Sequence, residues 1–477
     1  MKKALAMGLG ALLVAGSAAP ASAASQIDFS GYYNLYFTNV WGQNSNTTNT
    51  GVTAWSGFTN RLNLDFAFHA TDEVSVFWRL RAPGSQKWGA AANDPDSSGG
   101  VETYYAYGQI KQDWGTVLIG KLPDANFYTG LSNLGWRPDG PDGSGWFTAV
   151  NPFDIADSAY DGIRYANRWD NGFQLVGQFN RLGTAQTNFG PDWNPANAVN
   201  GDEDFFDFYL LEGGYFWDGG GATLGVHYMR DGIVGELRPD PTDTYTGAGV
   251  RGPHDPDANR KAWYINPAFA HRLDNGFGFH FEGKYGSGKF GDEKATGYAA
   301  YLDVDYNYGP GNINLAGWYA TGDDGTNTDD KDFVGMGGEF KPLLVAYGNN
   351  AGHRGRSAIG GAVAQAQRNS GVPNHGFGAF GEGDVSNHWA VALSGNHAFT
   401  DDISLSYAIA KLSLLEVQQG ADKDIGFEVD LGLQFQLLDN VKLGSAVGYL
   451  FAGDALKYQG GDTADSVAWL STLTFSF

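Results

Sequence analysis

The sequence predicts an all-β protein, a transmembrane antiparallel β-barrel of about 18 strands with long outer loops. Three observations support this prediction. Several segments alternate between apolar and polar residues with the two-residue period of a β-strand. Pairs of these segments are joined by very short turns, and the pairs are separated by long polar stretches. The chain also ends in such a segment, residues 465–477, with no residue after it. A barrel of 16 strands is the alternative.

The first residues have the features of an export signal. Lys2 and Lys3 precede an apolar run at residues 4–15, and Ala21-Ser22-Ala23 is a small-residue cleavage site. The apolar run is shorter than the roughly 20 residues of a transmembrane helix. We therefore predict a signal peptide at residues 1–23 and one barrel over residues 24–477. The exported protein is then periplasmic, secreted or located in the outer membrane.

The composition favours the outer membrane among these three locations. The chain has no cysteine, 14% aromatic residues and 70 glycines. A mean hydropathy of −0.31 is too polar for a helical membrane protein but ordinary for a barrel with one wet face. The formal charge is −23, and loss of Lys2 and Lys3 would take it to −25, which argues against a nucleic acid as a partner.

The predicted hairpins come in chain order. Residues 64–68 and 74–80 alternate on either side of a short turn, and Asp or Asn lies in similar turns near residues 170, 274, 401 and 439. Residues 425–437 form the clearest strand, with seven apolar side chains on one face and Glu428, Asp430 and two glutamines on the other. A barrel wall with lipid outside and water inside accommodates that pattern better than a sandwich strand does.

Nine long polar connections separate the hairpins, which gives eighteen strands. Residues 333–347 are interpreted as structure inside the longest loop, because Pro342 and the neighbouring glycines suit a wall strand poorly. The nine loops cover residues 39–57, 83–100, 123–158, 182–203, 232–260, 287–295, 322–387, 413–424 and 452–465.

The last strand is long for a soluble sheet and suits a tilted membrane crossing. Val467, Trp469, Leu473, Phe475 and Phe477 share one face. A barrel pairs this strand with the first one, so the chain end is held in place. The alternative is an edge strand of a secreted β-sandwich.

Residues 104–122 resemble a known family. Tyr-Tyr-Ala-Tyr-Gly-Gln-Ile from residue 104, a short turn, and Trp-Gly-Thr-Val-Leu-Ile-Gly-Lys from residue 114 are similar to strands four and five of the Gram-negative general diffusion porins. Residues 161–167 resemble the sixth strand, and residues 123–158 stand where the third loop folds into the pore. That loop lacks the Pro-Glu-Phe-Gly-Gly-Asp run of the enterobacterial members. Porins of sulfate-reducing bacteria are the nearest expected relatives.

The resemblance implies a location and a function. It implies a bacterial outer-membrane homotrimer, in contact with lipid and lipopolysaccharide, that lets small hydrophilic solutes and ions diffuse passively. A porin selective for sugars or small anionic solutes is an alternative. A non-transporting structural or enzymatic barrel is another, although no spacing of Ser and His residues picks out a catalytic set.

Six bases are candidate pore-lining residues, since strand parity or family position puts each on the lumen side. They would form one basic wall, unless some lie paired and solvated at the rims. These residues are Arg61, Arg79, Arg81, Lys121, Arg164 and Arg168. The opposing acids would come from the third loop: Asp124, Asp139, Asp142, Asp154 and Asp157.

One acidic stretch resembles a calcium loop in composition. Asp323–Asp330 supplies hard oxygen ligands around a glycine, but it lacks the Glu that closes an EF-hand. We expect a solvated acidic outer loop, with calcium binding or divalent bridging to lipopolysaccharide as alternatives. No other cofactor is expected.

Overall fold

The structure is a computed structural model. It describes residues 26–41, 55–82, 101–123, 130–132, 153, 160–184, 205–231, 260–290, 293–323, 331, 334, 340, 342–347, 361–370, 386–457, 463 and 465–477. The predicted signal peptide lies outside the described residues.

Eighteen antiparallel strands form one closed ring in which each strand pairs with its neighbours in the chain. This confirms the predicted fold class and the strand number, and excludes the 16-stranded alternative. The strands are β1 (Gln26–Trp41), β2 (Trp55–His69), β3 (Val74–Ala82), β4 (Glu102–Gln112), β5 (Gly115–Leu122), β6 (Tyr160–Arg168), β7 (Phe173–Thr184), β8 (Phe205–Trp217), β9 (Gly220–Asp231), β10 (Arg260–Arg272), β11 (Phe277–Phe290), β12 (Glu293–Asn307), β13 (Gly311–Ala320), β14 (His388–Thr400), β15 (Ile403–Leu414), β16 (Asp424–Leu438), β17 (Val441–Ala452) and β18 (Ser466–Ser476).

The first and last strands close the ring. β1 pairs with β18 from Tyr32 opposite Ser476 to Trp41 opposite Val467. Beyond that ladder, Gly31 and Phe477 exchange two backbone hydrogen bonds of 2.8 and 3.0 Å. A Cβ at Gly31 would lie 2.5 Å from the Asn63 carbonyl and 2.9 Å from the Phe477 ring, so only glycine fits this seam. The chain end is thus held as the alternating pattern predicts.

The two faces of the wall differ as a membrane barrel requires. The outer face carries exposed apolar side chains along the strands, such as Ile119, Leu211, Leu302 and Leu431. The inner face carries polar groups and the segments that pack against them. One end of the barrel has short turns, where Gly172 and Gly276 adopt positive φ of 88° and 92°. The long connections leave from the other end, except that only two residues separate β11 from β12, so the loop expected at residues 287–295 is shorter than predicted.

The longest connection contains a short helix, α1 (Ala362–Asn369), which the sequence pattern did not predict. Its first amides donate to the Val345 and Ala346 carbonyls at 3.1 and 3.0 Å. None of the helices in the described residues has the length and hydropathy needed to cross a bilayer.

Candidate functional site: the barrel lumen

Three of the six candidate bases lie together on the inner face of β2 and β3, and we call Arg61, Arg79 and Arg81 the arginine face. Arg79 pairs with Asp65 through two hydrogen bonds of 2.6 and 2.8 Å. Asp65 also accepts a hydrogen bond from the Tyr105 hydroxyl at 2.8 Å. The charge of Arg79 is therefore balanced within the wall.

The other two members keep their charge without a carboxylate partner among the described residues. Arg81 donates to the Asn63 side chain at 3.0 Å, and its guanidinium lies 3.2 Å from the centre of the Tyr104 ring. The Arg61 Nε is buried and has no hydrogen-bond partner in the described part of the chain. Neutral partners orient a guanidinium but do not cancel its charge. The arginine face therefore presents net positive charge to the lumen.

Arg164 and Arg168 lie on the inner face of β6, at different depths. Arg164 is buried and donates to Gln178 on β7 at 2.6 Å. Arg168 is the last residue of β6, at the short-turn end, and stacks 3.7 Å from the centre of the Phe216 ring. Arg168 therefore lines the inner vestibule instead of continuing the arginine face.

Lys121 was predicted to face the lumen, and the structure contradicts this. Lys121 lies opposite Ala106, which in turn lies opposite Trp78 on the outer face. It also shares its side of β5 with Ile119, which is 49% exposed. The family position suggested the lumen, but the register puts Gly120 there. Lys121 instead donates to the Thr103 carbonyl at 3.0 Å.

A turn of the third loop is attached to the inner wall through backbone amides. The Gly130 N–H donates to Glu212 on β8 at 2.9 Å, and the Leu131 N–H donates to Glu282 on β11 at 3.3 Å. Leu131 is fully buried there. Gly130 has a φ of 58°, and a Cβ would lie 2.3 Å from a Glu282 oxygen. Only glycine lets the backbone come this close to the carboxylate.

A second segment, from the longest loop, is attached to another part of the wall. The Leu344 N–H donates to Asp430 at 3.1 Å. The Val345 and Ala346 amides donate to the two oxygens of Glu428 at 2.6 and 2.8 Å. Glu428 and Asp430 lie on β16 and are both fully buried. Residues 343–347, which we call the β16-bound turn, therefore occupy the lumen side of the wall.

Aromatic contacts hold the neighbouring part of this loop. The Tyr347 hydroxyl accepts from Trp318 Nε1 and contacts His388 Nε2, both at 2.6 Å. The Phe340 ring packs against Trp318 at 5.2 Å and against Tyr301 at 5.8 Å between centroids. The loop thus carries its own apolar contacts inside the barrel, as a lumenal plug does.

The loop attachments and the arginine face lie on different parts of the inner wall. Glu282 lies on β11, nine strands around the ring of 18 from Arg61 on β2. The third-loop turn is therefore fixed to the wall opposite the arginine face. The predicted lumenal acids Asp124, Asp139, Asp142, Asp154 and Asp157 lie outside the described residues.

The proposed calcium loop is described only at its start. Asp323 is buried and accepts a hydrogen bond from the Lys331 backbone at 2.9 Å. Asp323 therefore ties the two ends of the acidic stretch together, whereas residues 324–330 lie outside the described part of the chain.

One group of side chains has the composition of a metal site. His280, Asp303 and Asp305 are buried, and their potential ligand atoms lie within 4.8 Å of one another. Arg272 forms an ion pair with Asp305 at 2.8 Å, and His280 contacts Asp303 at 2.7 Å. Arg272 thus already supplies a positive charge to these carboxylates. We therefore assign the cluster a structural role near the short-turn end of β11 and β12.

The carboxylates that attach the loops were not recognised as such from the sequence. Alternation correctly placed Glu428 and Asp430 on the inner face of β16. It also suggested that water would surround both side chains, and this was wrong. Both are covered by the β16-bound turn. The sequence did not distinguish Glu212 and Glu282 from other inward-facing carboxylates. An inward-facing carboxylate gives the same alternation of polar and apolar residues whether it contacts water or a backbone amide.

A closed 18-stranded ring with an apolar outer face, a polar inner face and chain segments fixed inside is the architecture of an outer-membrane channel. The profile of the Gram-negative porin family matches residues 10–253. The chain belongs to the Gram-negative porin family. It is a porin channel of the bacterial outer membrane, as the sequence resemblance predicted.

Solved structures support the fold. Pseudomonas aeruginosa OccK11 (OpdR) is similar with a TM-score of 0.51 and 11% identity, over 94% of this chain and 96% of that chain. Pseudomonas aeruginosa OprD has a TM-score of 0.51 and 11% identity, over 95% of both chains. No curated protein sequence matches significantly. The expected kinship with porins of sulfate-reducing bacteria stays a prediction.

Proposed function

We propose that this porin is a passive diffusion channel for small hydrophilic solutes and ions. One observation carries the proposal: segments of two loops are attached by backbone amides to buried wall carboxylates, one of which, Glu282, lies opposite the arginine face. We expect such segments to narrow the lumen, and charges at a narrow point act on permeating ions at short range. Transport of this kind involves no catalytic step.

A planar-bilayer recording combined with liposome swelling tests the proposal. We expect open-channel currents that keep rising with salt concentration without saturating, and swelling rates that depend on solute size but not on solute identity. Absence of permeation for every solute would instead favour the structural or enzymatic barrel.

A substrate-selective channel for small anionic solutes is the second candidate. It is favoured by Arg61 and Arg81, whose charges have no carboxylate partner among the described residues. A guanidinium on the lumen side of the wall can bind a carboxylate in two-point fashion. Saturable block of the current by one anionic solute, or by one sugar, would support this class over passive diffusion.

The partners follow from the family. We propose a homotrimer whose outer wall contacts outer-membrane lipid and lipopolysaccharide, with no nucleic acid partner. Calcium binding by Asp323–Asp330 is a further proposal, tested by titrating the purified protein with calcium. No other cofactor is proposed. Sedimentation of the detergent-solubilised protein at several concentrations measures the oligomer.

A further inference from the structure

Asp65 is an acidic neighbour of the arginine face on the inner wall of the barrel. It lies directly opposite Arg79 in the β2–β3 ladder, whereas the residue opposite Arg81 is the neutral Asn63. Both Asp65 oxygens accept hydrogen bonds from the Arg79 guanidinium. The side chains of Asp65 and Arg79 are each 22% exposed. Because both face inward, this ion pair is in contact with the lumen.

Two aromatic rings hold the ion pair in place. The Tyr105 hydroxyl donates to Asp65 at 2.8 Å, and the Tyr105 ring lies 5.0 Å from the Arg79 guanidinium. The ring of Tyr32 on β1 lies 5.8 Å from the same guanidinium. Two parallel hydrogen bonds between a guanidinium and a carboxylate fix their relative orientation. Asp65 therefore occupies two of the N–H positions with which Arg79 would bind an anionic solute.

The other two arginines of the face lie nearer the long-loop end of the barrel. Arg61 precedes Asp65 by four residues on β2, which is about 13 Å along the strand. Arg81 follows Arg79 by two residues on β3. Glu102 lies opposite Arg81 in the register, but it is exposed and forms no ion pair with Arg81. Within the described residues, Asp65 is thus the one acid that forms an ion pair with the arginine face.

We propose that Asp65 is a selectivity-determining residue, which limits the preference of the channel for anions by cancelling the charge of Arg79. Charges that line a narrow lumen decide which ions pass. Without the Asp65 carboxylate, the arginine face gains one uncancelled positive charge, and the N–H groups of Arg79 become available to permeating anions. The inference rests on the proposed permeation of ions, and it names the residue that limits the effect of the arginine face.

The test measures reversal potentials of the purified full-length channel across a potassium chloride gradient in planar bilayers. The variants are D65N, which removes the charge but keeps the size of the side chain, R79Q, and the double variant D65N/R79Q. In water, a unit charge about 8 Å from a permeating ion changes the local concentration of that ion about twofold. We therefore expect the ratio of chloride to potassium permeability to rise about fourfold in D65N and to fall about fourfold in R79Q.

The double variant separates charge from local structure. D65N/R79Q removes one acid and one base, so its permeability ratio should return to the wild-type value. It also leaves neither partner of the ion pair uncompensated, which favours folding. If D65N alone does not insert into bilayers, comparison of R79Q with D65N/R79Q still tests the charge of Asp65, because these two variants differ only at that position.

D424N is the matched control. Asp424 forms an ion pair with Lys411, and Lys411 lies opposite the exposed Phe427 on the outer face of the wall. D424N therefore removes the same charge from an ion pair outside the lumen, and we expect the wild-type permeability ratio.

Three results would overturn the proposal: a wild-type ratio in D65N, the same ratio in R79Q and D65N/R79Q, or a shift in D424N as large as that in D65N. Failure of the channel function itself has a different signature. A wild-type protein that carries no current would refute ion permeation, whereas a conducting D65N channel with the wild-type ratio would refute only the role of Asp65.

Discussion

The Val345 backbone amide donates a hydrogen bond of 2.6 Å to the Glu428 carboxylate inside the barrel. Since Ala346 binds the second oxygen, one side chain holds two successive amides of the β16-bound turn. Hydrogen bonds contribute roughly 0.5–1.5 kcal/mol each, and more where the acceptor is charged. Glu428→Ala should therefore release the turn and raise both single-channel conductance and current noise, while Glu428→Gln, which keeps one acceptor, should fall in between.

The matched control for this prediction is Glu416→Ala. It removes a carboxyl group from an exposed side chain, which forms an ion pair with Lys423 at 3.6 Å. Equal conductance in Glu428→Ala and the wild-type channel would show that the β16-bound turn does not limit the current.

The third-loop turn offers a second, independent test. Gly130→Val would place a Cβ 2.3 Å from a Glu282 oxygen at a positive φ, so the turn must move away from the wall. We expect altered single-channel conductance with a folded barrel. Gly177→Ala is the control, since a Cβ there meets nothing within 4 Å. A Gly130→Val channel with wild-type conductance would exclude this turn from the narrow part of the pore.

The residues of β16 show which parts of the structure could be predicted from the sequence. Alternation correctly placed Phe427, Leu431 and Leu433 on the outer face of β16, because one lipid-facing side imposes a two-residue period. Pro342 and the neighbouring glycines indicated that residues 333–347 belong to a loop and not to a wall strand. Alternation could not show that Glu428 binds backbone amides of that loop, because such contacts join residues about 80 positions apart.

Lys121 marks a different limit. Its assignment came from a family position, and a shift of one residue in register moves a side chain to the other face. β5 pairs with β4 in unbroken register from Gly115 to Lys121, so Lys121 follows Val117 and Ile119 onto the outer face. Both faces of β5 carry apolar residues, Val117 and Ile119 on one and Leu118 and Leu122 on the other. Alternation in the sequence therefore could not decide which face of β5 is the outer one.

Phe477 should matter more for assembly than for the stability of the folded barrel. Its ring lies 5.9 Å from Phe29, and its backbone makes the last two bonds of the seam with Gly31. Phe477→Ser keeps those bonds and loses burial worth about 2 kcal/mol at most. We expect a marked loss of protein from the outer membrane of cells but a similar denaturation midpoint after refolding in detergent. Normal membrane levels would contradict an assembly role for this residue.

Neutralising the arginine face should change ion selectivity, whereas neutralising Lys121 should not. Arg61→Gln with Arg81→Gln removes two lumenal charges that have no carboxylate partner among the described residues, so cations should be favoured more strongly and conductance should rise. Lys121→Gln is the matched control, since Lys121 faces outward. Reversal potentials across a salt gradient measure both effects. A shift in the Lys121→Gln channel as large as that in the double variant would mean that Lys121 acts from the lumen.

The wild-type channel should prefer cations weakly at low salt and lose that preference as salt rises. The chain carries a formal charge of −23, and acidic residues 323–330 belong to an outer loop, which makes the mouth negative. The arginine face has the opposite sign and lies deeper. The Debye length is about 8 Å at 0.15 M salt, so mouth charges are screened first, while charges across a narrow lumen still act at short range. Reversal potentials between about 0.01 and 1 M salt would follow the change, because the Debye length falls from about 30 to 3 Å over that range. Strong anion selectivity at every concentration would refute the mouth-charge argument and support the channel selective for small anions.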